Sequence, residues 1–182
     1  MRQQLTRRLV LGLLLLSLPG GVRAQQIHLD FSGFAEGTVV ARQFANRGLL
    51  LASSGPAGPQ VQVEPDRDAV LVPALRPPAS DASVETIVLS FVDPQDDRAP
   101  ATTRFVQVMT EVGPRNVATL EAYDSAGQRV ATDAAGPSHG PTTLQVRADA
   151  IASARFTAMS NAGSRGCIGG ISFAEPVPTD SP

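Results

Sequence analysis

The chain has no tryptophan, one tyrosine, one cysteine and two histidines in 182 residues. It also has no lysine, so its 15 basic residues are all arginine. Each scarcity closes a class of function. A lone Cys167 forms no intramolecular disulfide, so the fold must rest on its core, with Cys167 as a small buried apolar residue. An excess of 17 acids over 15 bases, with no basic stripe, argues against nucleic acid, whose affinity comes from neutralising phosphates. Without tryptophan, a sugar site of the flat-aromatic kind has little to build on. Helical periodicity is nearly missing too.

What is present begins with an export signal. Arg2, Arg7 and Arg8 form a positive segment, and Leu9 to Leu18 is an apolar run too short to span a bilayer stably. Val22-Arg23-Ala24 suits signal peptidase, so residues 1–24 are expected to be removed and the protein to be periplasmic or extracellular. The paired arginines also resemble a twin-arginine signal. The remainder would carry eleven arginines against seventeen acids, a net charge of −6. No later segment is apolar enough for a membrane span.

From residue 25 to 174 short alternating runs recur between Gly, Pro, Asp and Ser clusters, the pattern of a β-sandwich or barrel. Ile27, Leu29 and Phe31 share one face of a first strand, with His28 and Asp30 on the other. Thr38 to Phe44 fits either a strand or a short helical turn. Leu49–Ala52, Val61–Glu64 and Ala69–Val72 read as short strands. Val84 to Val92 reads as a central strand, and Asp93 to Asp97 ends it. Arg104 to Val112 is apolar on both faces, Val106, Val108 and Val112 against Phe105 and Met109, which predicts cover from both sides. Val117–Tyr123 and Gln128–Thr132 form a hairpin about Asp124 to Gly127. Thr143–Ala148, with Gln145 and Arg147 outward, and Ala152–Met159 follow. Ile168–Phe173 closes the domain and pairs with the first strand, and residues 175–182 read as a disordered tail. About ten strands in one domain predict an all-β, antiparallel sandwich of jelly-roll type.

Several of these segments, in this order, resemble a known family. They are Ile27-His-Leu-Asp-Phe31, Gly37-Thr-Val-Val40, Gln43-Phe44, Gly48 before an apolar strand, Val88-Leu-Ser-Phe-Val-Asp-Pro94, Ala122-Tyr-Asp-Ser-Ala-Gly127 and Ile168 to Phe173. Together they look like the exported bacterial β-jelly-roll domains of galactose-binding-like type found in PEP-CTERM-type proteins, here without the C-terminal anchor. The resemblance implies a sandwich that in some relatives holds a structural calcium through an acid after the first-strand Phe and an acidic pair before the last strand. Ser32 and Gly169-Gly170 stand at those positions, which leaves Asp30 alone.

Residues with catalytic or binding chemistry are few. His28 and Asp30 share a strand face, and His139 lies in a Gly/Pro loop. Ser164 lacks the first glycine of a nucleophile elbow and leads into a strand. Asp93, Asp96 and Asp97 are the metal candidates, with Glu64, Asp66 and Asp68 a second acidic cluster, although neither follows the EF-hand order. Of the phenylalanines, Phe34 is loop-borne, Phe44 fits core or surface, and Phe31, Phe91, Phe156 and Phe173 fall at core-type positions. A ligand site would then lean on Arg98, Arg115, Asn116 and Arg165. The expectation is an exported, non-catalytic binding or envelope-associated module with no cofactor, whose partner is a glycan or an envelope component. A structural envelope protein without a small ligand, and a hydrolase active at a loop end, are the alternatives.

Overall fold

The structure is a computed structural model describing residues 25–53, 58–63, 69–72, 83–113, 116–137, 140–160 and 167–179. The expected signal segment, the second acidic cluster, Arg115, His139, Ser164 and Arg165 lie outside the described residues. Among the described residues twelve strands form in chain order: β1 (Gln26–Leu29), β2 (Leu49–Ser53), β3 (Gln60–Val63), β4 (Ala69–Val72), β5 (Ser83–Asp93), β6 (Asp96–Glu111), β7 (Ala118–Tyr123), β8 (Arg129–Ala135), β9 (Pro141–Ile151), β10 (Ser153–Ser160), β11 (Cys167–Ala174) and β12 (Val177–Pro178). All pairings are antiparallel.

The strands fold into two layers. The first runs β3-β4-β11-β6-β9, with β1 alongside β11, and the second runs β2-β5-β10-β7-β8. Alternation builds the core between them. Phe31, Leu71, Val106, Val108, Leu144, Ile171 and Phe173 from the first layer meet Leu49, Ile87, Leu89, Leu120, Ala154 and Phe156 from the second. Ile87, Leu89 and Phe91 of the expected central strand are buried, and β5 is paired on both sides. The β5–β6 hairpin joins the layers at one end, turning through Pro94 and Gln95 between paired Asp93 and Asp96.

Side-chain bonds to the backbone tie β6 to β11 within the first layer and join the two layers where β8 meets β9. Thr103 and Thr110, both buried on β6, donate their hydroxyls to the Ala174 and Cys167 carbonyls at the two ends of β11, each at 2.6 Å. Those bonds satisfy carbonyls beside ladder irregularities, where a buried acceptor would otherwise be costly. Where the edges of β8 and β9 meet, Asp133 accepts the Ala134 amide at 2.8 Å and the Gln145 amide of β9 at 2.7 Å.

Three expectations need correction. Residues 177–178, read as part of a disordered tail, pair with Ala101 and Thr102 of β6, anchored by buried Pro176. A Cβ on Gly48 would come within 2.6 Å of the Pro176 ring, and Gly48 has φ +85°, so glycine is required there. β6 is not covered from both sides: Met109 is 43 % exposed, and Phe105 is shielded by the Arg147 side chain rather than by another layer. Thr38 to Phe44 is neither a strand nor a helix. Val39 makes one bridge to Gln60, and a short 3-10 turn follows at Ala45–Arg47.

Candidate functional site

The acidic turn and the loops come first. Asp93 accepts the Gln95 amide at 2.8 Å, Asp96 accepts the Arg98 amide at 3.1 Å, and Asp97 pairs with Arg42. Asp93 and Asp96 thus serve the turn, since short polar side chains that bond a backbone amide two residues on stabilise such bends, and Asp97 ties the hairpin to Arg42. Among the described residues no three His, Cys, Asp or Glu side chains converge as a metal group. Arg98 is exposed, whereas Asn116 is 5 % exposed and lies beneath the surface a ligand would touch. Phe34 is not a free platform: it meets Phe44 edge-on at 5.7 Å, and Phe44 meets core Phe31 at 6.1 Å. Asp30 accepts both the hydroxyl and the amide of Ser32, which lowers its pKa. It caps a turn, its hydrogen bonds go to Ser32, and His28 makes only the smallest contribution to that lowering.

The outward faces of the two layers carry more chemistry. On the first layer, register fixes the neighbours. His28 of β1 stands opposite Ser172 of β11, Ser172 opposite Gln107 of β6, and Gln107 opposite Gln145 of β9. Adjacent strands lie about 4.8 Å apart, so these four side chains form one polar row across the sheet. Arg147 flanks the row on one side, its guanidinium carbon 4.4 Å from the centre of the Phe105 ring. On the other side, the methyl of Met109 lies close over Gly169 and Gly170. Met109 thus covers the two glycines that stand where the resemblance places calcium-binding acids.

His28 and Ser172 are 2.9 Å apart, Nδ1 to Oγ. A nucleophile–base pair needs a group to orient the histidine and donors for an oxyanion. Asp30 is engaged by Ser32, and Ser172 sits mid-strand between two ladder partners, with no turn of free amides beside it. The pair therefore does not suit acyl transfer: Ser172 is buried and holds His28, the exposed member of the pair, in place. Gln107 is half-buried and Gln145 exposed, and neither carboxamide bonds another described side chain. Two in-register amides present paired donors and acceptors to solvent.

The second layer carries the tyrosine. Tyr123 donates its hydroxyl to Glu121 Oε2 at 2.8 Å, and Arg129 Nη1 donates to Glu121 Oε1 at 2.6 Å. The Arg155 guanidinium sits 4.8 Å from the Tyr123 ring centre. The Arg129 hydrogen bond, then that of Tyr123, lowers the Glu121 pKa. Burial, then the bond to Glu121, raises that of Tyr123. Every polar group in this cluster has a partner.

Sequence reading named His28, Gln145 and Arg147 as outward residues but did not bring them together. Gln107, Phe105 and Ser172 were missed as site residues. The missing information was the β6–β9 and β6–β11 register, which no local pattern encodes.

No family model and no curated protein matches the chain. Solved structures with similar folds include a carbohydrate-binding module, CBM61, in complex with β-1,4-galactotriose, at 11 % identity and TM-score 0.46 over 78 % of this chain and 100 % of that one. A CBM4 module matches at 14 % identity and TM-score 0.30 over 81 % of this chain and 97 % of the other. The enzymatically active domain of tailspike protein 4 from bacteriophage CBA120 matches at 13 % identity and TM-score 0.33, over 78 % of this chain but 21 % of its own. The structural neighbours thus include carbohydrate-binding modules, and the case for a site rests on this chain's own residues. No helix among the described residues is long and apolar enough to cross a membrane.

Proposed function

We propose that the protein is an exported, non-catalytic module that binds a glycan on the outward face of the β1–β11–β6–β9 layer. One observation carries the reading: Gln107 and Gln145 stand opposite each other with their carboxamides free of described protein partners, in line with Ser172 and His28. Sugar hydroxyls both donate and accept, and carboxamides and an imidazole offer both roles in fixed positions. Arg147 and Met109 supply apolar stem and thioether surface on either side of the row, in place of the missing tryptophan. Export rests on the arginine-led apolar segment at residues 2–18 and the Val22-Arg23-Ala24 site.

The test is a glycan array followed by calorimetric titration, comparing the wild type with the Gln107→Ala/Gln145→Ala double variant. The wild type should bind at least one glycan, equally well in EDTA, because no metal ligands take part. The double variant should bind about ten-fold or more weakly, having lost several neutral hydrogen bonds, with thermal stability unchanged. Absence of any wild-type binding, or undiminished binding by the double variant, would overturn the assignment of this face.

A further inference from the structure

Resting on the glycan reading, we infer that the saccharide bound on this face is a uronic acid, with Arg147 as its carboxylate anchor. Among the described arginines, Arg47, Arg98 and Arg104 are exposed with no ring contact beneath them, and three others are already engaged. Arg42 pairs with Asp97, Arg129 with Glu121, and Arg155 lies in the field of Glu121. Arg147 differs. Its guanidinium is held over Phe105 at 4.4 Å, and no ion pair joins it to a described carboxylate, including Asp149 two residues further along β9.

A guanidinium fixed over a ring has already lost much of its rotamer freedom, so less is lost when it binds. Its planar fork matches a carboxylate bidentately. The positions suit one sugar unit: Arg147 and Gln145 project from the same face of β9 two residues apart, and Gln107 stands across from Gln145. The carboxylate would meet Arg147 while ring hydroxyls meet the two carboxamides. A neutral glycan would leave the Arg147 charge without a counterpart.

The experiment uses tetramers of galacturonate, mannuronate and cellouronate, each paired with its fully methyl-esterified form. Esterification removes the charge and keeps the backbone. At least one acid should bind about ten-fold more tightly than its ester, with the difference shrinking as salt is raised. Arg147→Gln should erase the difference, whereas Arg155→Gln, on the opposite layer, should leave it intact. Equal binding of acid and ester, or an Arg147→Gln variant that weakens both alike, would overturn the uronate inference while leaving the glycan face standing. Binding of neutral array glycans but no uronate would do the same. A protein that binds no glycan at all would remove both.

Discussion

Each layer of the sandwich holds an aromatic ring on its outer face with an arginine laid over it, yet the two rings have opposite surroundings. On the second layer the ring is Tyr123, whose hydroxyl reaches Glu121, and Glu121 also takes Arg129 and lies in the field of Arg155. On the first layer the ring is Phe105, which has no hydroxyl to hold a carboxylate, and Arg147 stands over it without one. The closed network has a carboxylate, Glu121, at its centre, whereas no ion pair joins Arg147 to a described carboxylate. Buried or half-buried polar groups that satisfy one another stabilise the fold and offer little to a ligand. Groups left facing solvent contribute little to stability and remain free to bind.

This contrast can be tested from the inside outward. Phe156 lies fully buried between the layers, so Phe156→Ala should cost about 3–5 kcal/mol in denaturant unfolding and weaken both faces together. A loss below about 1 kcal/mol would show that the layers do not share one core. On the second layer, Tyr123→Phe removes only the hydroxyl that Glu121 accepts, and should cost about 0.5–1 kcal/mol without changing glycan affinity. A fall in affinity would place binding on the wrong face. The smallest effect is on pH dependence. The Glu121 pKa is lowered in the folded state, so its contribution is present above the ordinary carboxylate range and fades as pH falls through that range and below it. The stability difference between wild type and Glu121→Gln should therefore narrow between about pH 7 and about pH 3. A gap that stays constant would mean that the carboxylate charge contributes nothing to the network.

Much of the fold could be read from local pattern. Local pattern predicts strands over Val84–Val92 and Ala152–Met159, and the structure buries Ile87, Leu89, Phe91, Ala154, Phe156 and Ala158 within them. The hairpin around Asp124 to Gly127 followed from turn chemistry, and Gly127 indeed has φ +74°. The pairing of the first strand with Ile168 to Phe173 was also expected, and His28 meets Ser172 through it. The site was much less readable. Gln107 and Gln145 are 38 positions apart and become neighbours only through the β6–β9 register. The exposure of Met109 was hidden for another reason: an apolar residue on an outward face looks the same in sequence as one beneath a second layer. The closing segment failed because Val177–Pro178 is too short to show any alternation, and its docking depends on Pro176 meeting Gly48.

The carboxylate of Asp133 has a consequence for how copies of this protein behave in a crowd. Open sheet margins invite a second chain to add its own strand, and lysine is a common deterrent at such margins. This sequence has no lysine to place there. Where the edges of β8 and β9 meet, Asp133 occupies the Gln145 amide, an edge group that an incoming strand would need. One acidic side chain thus serves as a stopper, holding the sandwich shut along that border and denying a foothold to self-association.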